Sequence, residues 1–141
     1  EDESPANYIT LDVDLVSSED LSLLAIHLEK ETFVLGNQQV DGLFYLSFEQ
    51  AFITELNTPE SSANLILEVL QNLPAELSSL WERSSSKTFN FGFESGVIAP
   101  PYTAELKPDT LRKIANLSAG IAITIYQHDS SQSEVSSEDR T

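Results

Sequence analysis

The sequence predicts an α+β fold, with an antiparallel or mixed sheet of about five to six strands and three helices packed mainly on one face, in the order βαββαββαβ. Three observations lead there. Apolar and polar residues alternate at period two in several short stretches, and apolar residues recur at helical spacing in three others. The strand-like stretches also come in adjacent pairs, which favours hairpins over a doubly wound parallel sheet.

From Asn7 to Leu15, Ile9, Leu11, Val13 and Leu15 share one face and Thr10, Asp12 and Asp14 the other, the pattern of a half-buried strand. Ser17-Ser18-Glu19-Asp20 supplies capping side chains and first-turn acids, and Leu21, Leu24, Ala25 and Leu28 follow at helical spacing, so a helix is expected from about Ser18 to Glu31. Thr32 to Leu35 is β-branched and aromatic, Gly36-Asn37 is a turn signal, and Leu43 to Phe48 makes a stronger strand that could run on irregularly through Phe52 and Ile53. Thr58-Pro59-Glu60 opens a second helix with Leu65, Ile66, Val69, Leu70 and Leu73 on its buried stripe. Pro74 interrupts or restarts it, and Leu77, Leu80 and Trp81 carry the apolar face onward. After Ser84-Ser85-Ser86 the alternation returns, with Phe89, Phe91 and Phe93 opposed to Asn90, Gly92 and Glu94. A glycine- and proline-rich loop, Ser95 to Pro101, leads to a short extended piece at Tyr102 to Leu106. Lys107-Pro108-Asp109-Thr110 starts a third helix with Leu111, Ile114, Ala115 and Leu117 on its apolar side, and Ile121, Ile123 and Ile125 form a closing strand that ends at Tyr126.

This layout places one α+β domain over residues 7–128, between a loose extension at 1–6 and an acidic, serine-rich tail at 129–141 that has too little apolar surface to offset its ordering entropy. The chain opens Glu1-Asp2-Glu3 and contains no methionine, so residues upstream are expected to have been removed or omitted. No apolar run approaches the roughly 20 residues of a membrane helix, and a cytoplasmic location is the default expectation.

Seven basic residues face 23 acidic ones, a net charge of −16. Residues 1–82 hold 16 acids and a single base, Lys30, whereas residues 83–141 are nearly balanced at 7 acids and 6 bases. Such a field repels nucleic acids and anionic membranes and accelerates encounter with cationic proteins. The absence of cysteine removes disulfides, thiolate nucleophiles, zinc fingers and iron–sulfur clusters. The five glycines reach no phosphate-loop spacing, and no serine lies in a nucleophile elbow. His27, beside the Leu24/Leu28 stripe, reads as a half-packed boundary residue. His128 precedes Asp129, but neighbours on a strand end point apart. Asp12 and Asp14 fall on one strand face, as a hard cation would need, yet the pattern supplies no third ligand. Trp81 and the phenylalanines sit at core periodicity, and Asn116-Leu117-Ser118 is a loose glycosylation match that matters only in a secreted eukaryotic protein. No cofactor or metal and no catalytic residues are expected.

Tyr8 to Leu15, Leu21 to Leu28, Gly36 with Phe44-Tyr45-Leu46-Ser47, and above all Leu106-Lys107-Pro108-Asp109-Thr110-Leu111 through Ile121-Ala122-Ile123-Thr124-Ile125-Tyr126 resemble a family of small bacterial domains of unknown function. Those domains are found near polymorphic-toxin genes as candidate immunity proteins. The chain departs from that family at Tyr45, where tryptophan is usual, and it lacks the leucine-glycine-proline run after the first helix. The resemblance implies no catalysis. It implies stoichiometric binding of one cationic toxin domain, such as a nuclease, through an acidic surface around Asp12, Asp14, Asp41, Glu49 and Glu55; the chain itself is expected to be a monomer or weak dimer. The alternative is a small-molecule- or metal-binding domain, or an unrecognised enzyme, which needs a pocket with converging polar groups near His128, Tyr102 or the Ser95 to Pro101 loop.

Overall fold

The central strand of the sheet, β1 (Asn7–Ser17), is flanked on both sides by antiparallel partners. The computed structural model describes residues 5–50, 58–98 and 101–127. After β1 come α1 (Ser22–Leu28), β2 (Thr32–Val40), β3 (Leu43–Gln50), α2 (Pro59–Gln71), α3 (Ala75–Arg83), β4 (Ser86–Glu94), α4 (Pro108–Asn116) and β5 (Gly120–Tyr126). The strands form a five-stranded sheet in the order β2-β3-β1-β4-β5. All pairs are antiparallel except β4 and β5, which run parallel because α4 carries the chain back between them. The sheet is therefore mixed, and the fold is α+β.

Helices cover one face. Leu11, Val13 and Leu15 of β1, Leu46 and Phe48 of β3, and Phe89 and Phe91 of β4 point into that layer and meet Leu24 and Leu28 of α1, Ile66 and Leu70 of α2, Trp81 of α3 and Ile114 of α4. The Trp81 indole is 2% exposed and donates to the Leu117 carbonyl at 3.0 Å, so its one polar atom is satisfied inside the core.

Several elements depart from the sequence expectation, each for a local reason. The β1–β4 register shifts between Tyr8 and Thr10, which turns Tyr8 into the core and leaves Ile9 46% exposed. Residues 18–21 do not join α1, because Ser17 Oγ accepts from Glu19 N at 3.0 Å and Asp20 Oδ1 accepts from Ser22 N at 2.9 Å, local bonds that compete with helix. At its other end α1 stops at Leu28, where the Thr32 hydroxyl donates to the Leu28 carbonyl at 2.7 Å. Gly36 and Asn37 lie within β2 at a register shift; the hairpin turn is instead Asp41-Gly42, both at positive φ (54° and 83°), the left-handed pair that a two-residue hairpin requires.

Pro74 does more than kink the second helix. It separates α2 from α3, so four helices rather than three are found among the described residues. The piece at 102–106 is not paired into the sheet. In α4 the buried positions are Thr110 and Ile114, while Leu111 is 42% exposed. The possible continuation through Phe52 and Ile53, and the tail, lie outside the described residues, as do Glu55, His128 and Asp129.

Candidate functional site

Opposite the helices the sheet presents a second face, on which no described helix packs. Cross-strand register fixes its composition. Asp12 of β1 lies between Glu49 of β3 and Asn90 of β4, and one step along, Asp14 lies between Ser47 and Thr88. Residues directly opposite in neighbouring strands hold their Cβ atoms about 4.5–5.5 Å apart, so Asp12, Asp14 and Glu49 form one carboxylate cluster at the centre of the sheet. Thr10 Oγ1 donates to Glu49 Oε1 at 3.3 Å, Ser47 Oγ donates to Asp14 Oδ1 at 2.7 Å, and Thr124 Oγ1 donates to Asn90 Oδ1 at 2.8 Å. Among the described residues whose register directs them to this face, none is Lys, Arg or His.

Like charges directly opposite one another on a sheet are destabilising. The cost falls on Asp12. Burial on the sheet, the hydrogen bond shared with Glu49, and the charges of Glu49 and Asp14 push its carboxyl from 3.8 up to about 6. Its Oδ1 is buried and has no hydrogen-bond partner among the described residues.

Beside the cluster the face is concave. A depression of about 190 Å³ is bounded by Asp14, Ser47, Tyr45, Gln38 and Gly36. Gly36 lines it without a side chain, and a Cβ at that position would meet nothing within 4 Å. Tyr45, 37% exposed, stands at one wall, and Phe33, 56% exposed, pairs with Glu49 on the other side of the cluster. The depression thus offers a carboxylate and a hydroxyl beside an aromatic ring, a combination suited to a guanidinium or ammonium group.

The five acids named from the sequence divide accordingly. Asp12, Asp14 and Glu49 are brought together. Asp41 is at the tip of the β2–β3 hairpin, beyond the Val40–Leu43 pair and about 20 Å along β3 from Glu49 at the usual strand rise, so it does not belong to the cluster. Glu55 lies outside the described residues. The alternation read from the sequence already sets Thr10 with Asp12 and Asp14 on one strand face and Asn90 on the polar side of its own strand, but it neither joins the two strands nor points to Gln38; applied to β3 it could have added Tyr45, Ser47 and Glu49, which share the face that β1 presents with Asp12 and Asp14.

A second concavity lies on the helix side of the sheet, at β4 and β5. It encloses about 440 Å³ between Phe91, Phe93, Tyr102, Leu106, Ile123 and Pro59, and it also touches Ser95 and Gly96. Its walls are apolar, with Glu94 and Glu105 contributing the carboxylates. His27 is half-buried on α1. Among the described residues no group of three or more His, Cys, Asp or Glu side chains is arranged to hold a metal ion, and no helix is long and apolar enough to cross a membrane. A comparison of the chain with protein-family models, with curated proteins and with solved structures gave no match.

Proposed function

We propose that this protein is a non-catalytic binding protein of the bacterial cytoplasm, an inhibitor or immunity protein that neutralises a cationic toxin domain by covering that domain's basic surface with the open face of its own sheet. The observation that carries the reading is the carboxylate cluster of Asp12, Asp14 and Glu49, held in register on a face with no compensating base among the described residues. A folded chain retains such a cluster at a cost in stability, and a basic partner removes that cost on binding. The depression at Gly36 gives the partner a place for one arginine or lysine side chain, with Tyr45 as the apolar contact at its wall and Phe33 across the carboxylate cluster. A toxin nuclease fits this chemistry, because its phosphate-binding groove is itself basic.

The test is capture of the partner from the native host at low salt, followed by binding measurements with Asp14→Asn and Gly36→Leu. Gly36 has space around it and no left-handed backbone, so leucine there fills the depression without disturbing the fold. Both variants are expected to weaken the complex at least about tenfold, the loss of roughly 1.4 kcal/mol that one desolvated anchor contributes. A partner that binds both variants as tightly as the wild type would contradict the reading.

A second reading rests on the 440 Å³ concavity beside Tyr102, Ser95 and Gly96, which has the size of a small-molecule site. Stabilisation by an apolar metabolite in a thermal-shift screen, lost in Tyr102→Ala and kept in Asp14→Asn, would favour it over the first.

A further inference from the structure

Strand β5 forms one border of the sheet with nothing paired to its outer side among the described residues. We infer that a second copy of this chain occupies that edge, with two β5 strands pairing antiparallel about Ile123 and joining the two five-stranded sheets into one.

Three observations point to a second copy. The first is the lack of protection. An exposed strand edge invites pairing, and proteins that stay monomeric blunt their edges with charge, proline or bulges. The opposite edge, β2, carries a register shift between Val34 and Gly36. Strand β5 has no charged residue and no proline, keeps regular register with β4 over its whole length, and holds Ile121, Ile123 and Ile125 at 41%, 60% and 67% exposure.

The second is self-complementarity. Antiparallel pairing centred on Ile123 sets Ile121 against Ile125 and Ala122 against Thr124, so β-branched apolar side chains meet one another on the helix side and small ones meet on the open side. It also sets Gly120 against Tyr126, an aromatic side chain covering a strand glycine. Within one chain the Tyr126 ring already covers Gly92, at 3.4 Å from where a Cβ would stand, and it remains 52% exposed.

The third is charge. Two copies of a −16 protein repel each other over most of their surface. Residues 5–50 hold eight acids and one base, whereas residues 101–127, which include α4 and β5, hold two acids and three bases. Asp109 is paired with Arg112 and Lys113 on α4 itself. Among the described residues, repulsion between copies is therefore weaker at this edge than over residues 5–50. Edgewise pairing leaves the carboxylate face open, so the inference is independent of the partner reading.

Sedimentation equilibrium of the full chain at near-physiological salt, taken up to about 100 μM, reads the outcome by mass action. A dimer is expected, and Ile123→Lys, which places two ammonium groups at the dyad, is expected to make the protein monomeric while its circular dichroism spectrum stays that of the folded chain. Ile125→Lys, at a still more exposed position, is a second edge variant should the first misfold, and Phe33→Lys on the β2 edge is expected to leave the dimer intact. A chain that stays monomeric over the whole range overturns the inference. So does a dimer that survives both β5 variants, or one that Phe33→Lys dissociates.

Discussion

Asp12 is the residue at which structure and function meet most directly. Its carboxyl titrates near 6, well above the ordinary 3.8, so the fold favours its protonated form. A raised value in the folded state means that its contribution to stability is fully present below pH 4 and is lost as the pH rises through 6. Asp12→Asn cannot ionise and keeps that contribution. The variant is expected to unfold with the wild type at pH 4 and to be more stable at pH 7.5, by about 1 kcal/mol once solvent screening of this half-exposed group is allowed for. Denaturant melts at the two pH values check this, and equal differences at both would remove the carboxylate pair as the cause. A basic partner that binds the ionised face must also displace this proton, so its affinity is expected to fall below pH 6.

At the scale of elements, Glu60 shows how the helix layer is tied together. It lies in the first turn of α2 and accepts from Thr110 Oγ1 at 2.6 Å and from Lys107 N at 3.0 Å, so it caps α4 from a neighbouring helix. Burial raises its pKa, but the hydrogen bonds from Thr110, Lys107 and Asn64 outweigh that and hold the carboxyl below its usual range. A lowered value means stability present at neutral pH and lost as the pH falls through the folded value. Glu60→Gln is expected to cost about 1 kcal/mol at pH 7 and progressively less under acid, readable in melts followed by circular dichroism. This link was not legible in the sequence, because Glu60 and Thr110 are brought together only by tertiary packing. The elements themselves were largely legible from period. The Phe89/Phe91 strand and the Thr58-Pro59 helix start stand where the alternation and the cap placed them. At residues 18–21 and Gly36-Asn37 side-chain bonds and a strand irregularity override local propensity, and Asp41-Gly42 is the stronger hairpin signal.

At the scale of the whole molecule, the fold sorts its chemistry by face. The helix side of the sheet is apolar, the opposite side carries carboxylates, and the β5 border carries no charged residue and no cover among the described residues. The sequence revealed that the charge was concentrated in residues 1–82 but not that three of those acids share one face, since that depends on strand order, and β1 sits between β3 and β4 rather than next to β2, the strand that follows it in the chain. The central claim is that this face binds a cationic protein. The measurement that tests it most directly is the association rate of the captured partner with wild-type protein and with Asp12→Asn/Asp14→Asn/Glu49→Gln, over a salt series from about 0.05 to 0.5 M. The account predicts that the wild-type rate falls at least about tenfold across the series and that the triple variant starts slow and responds only weakly. A wild-type rate independent of salt, or a triple variant that associates as fast as the wild type at low salt, would contradict it.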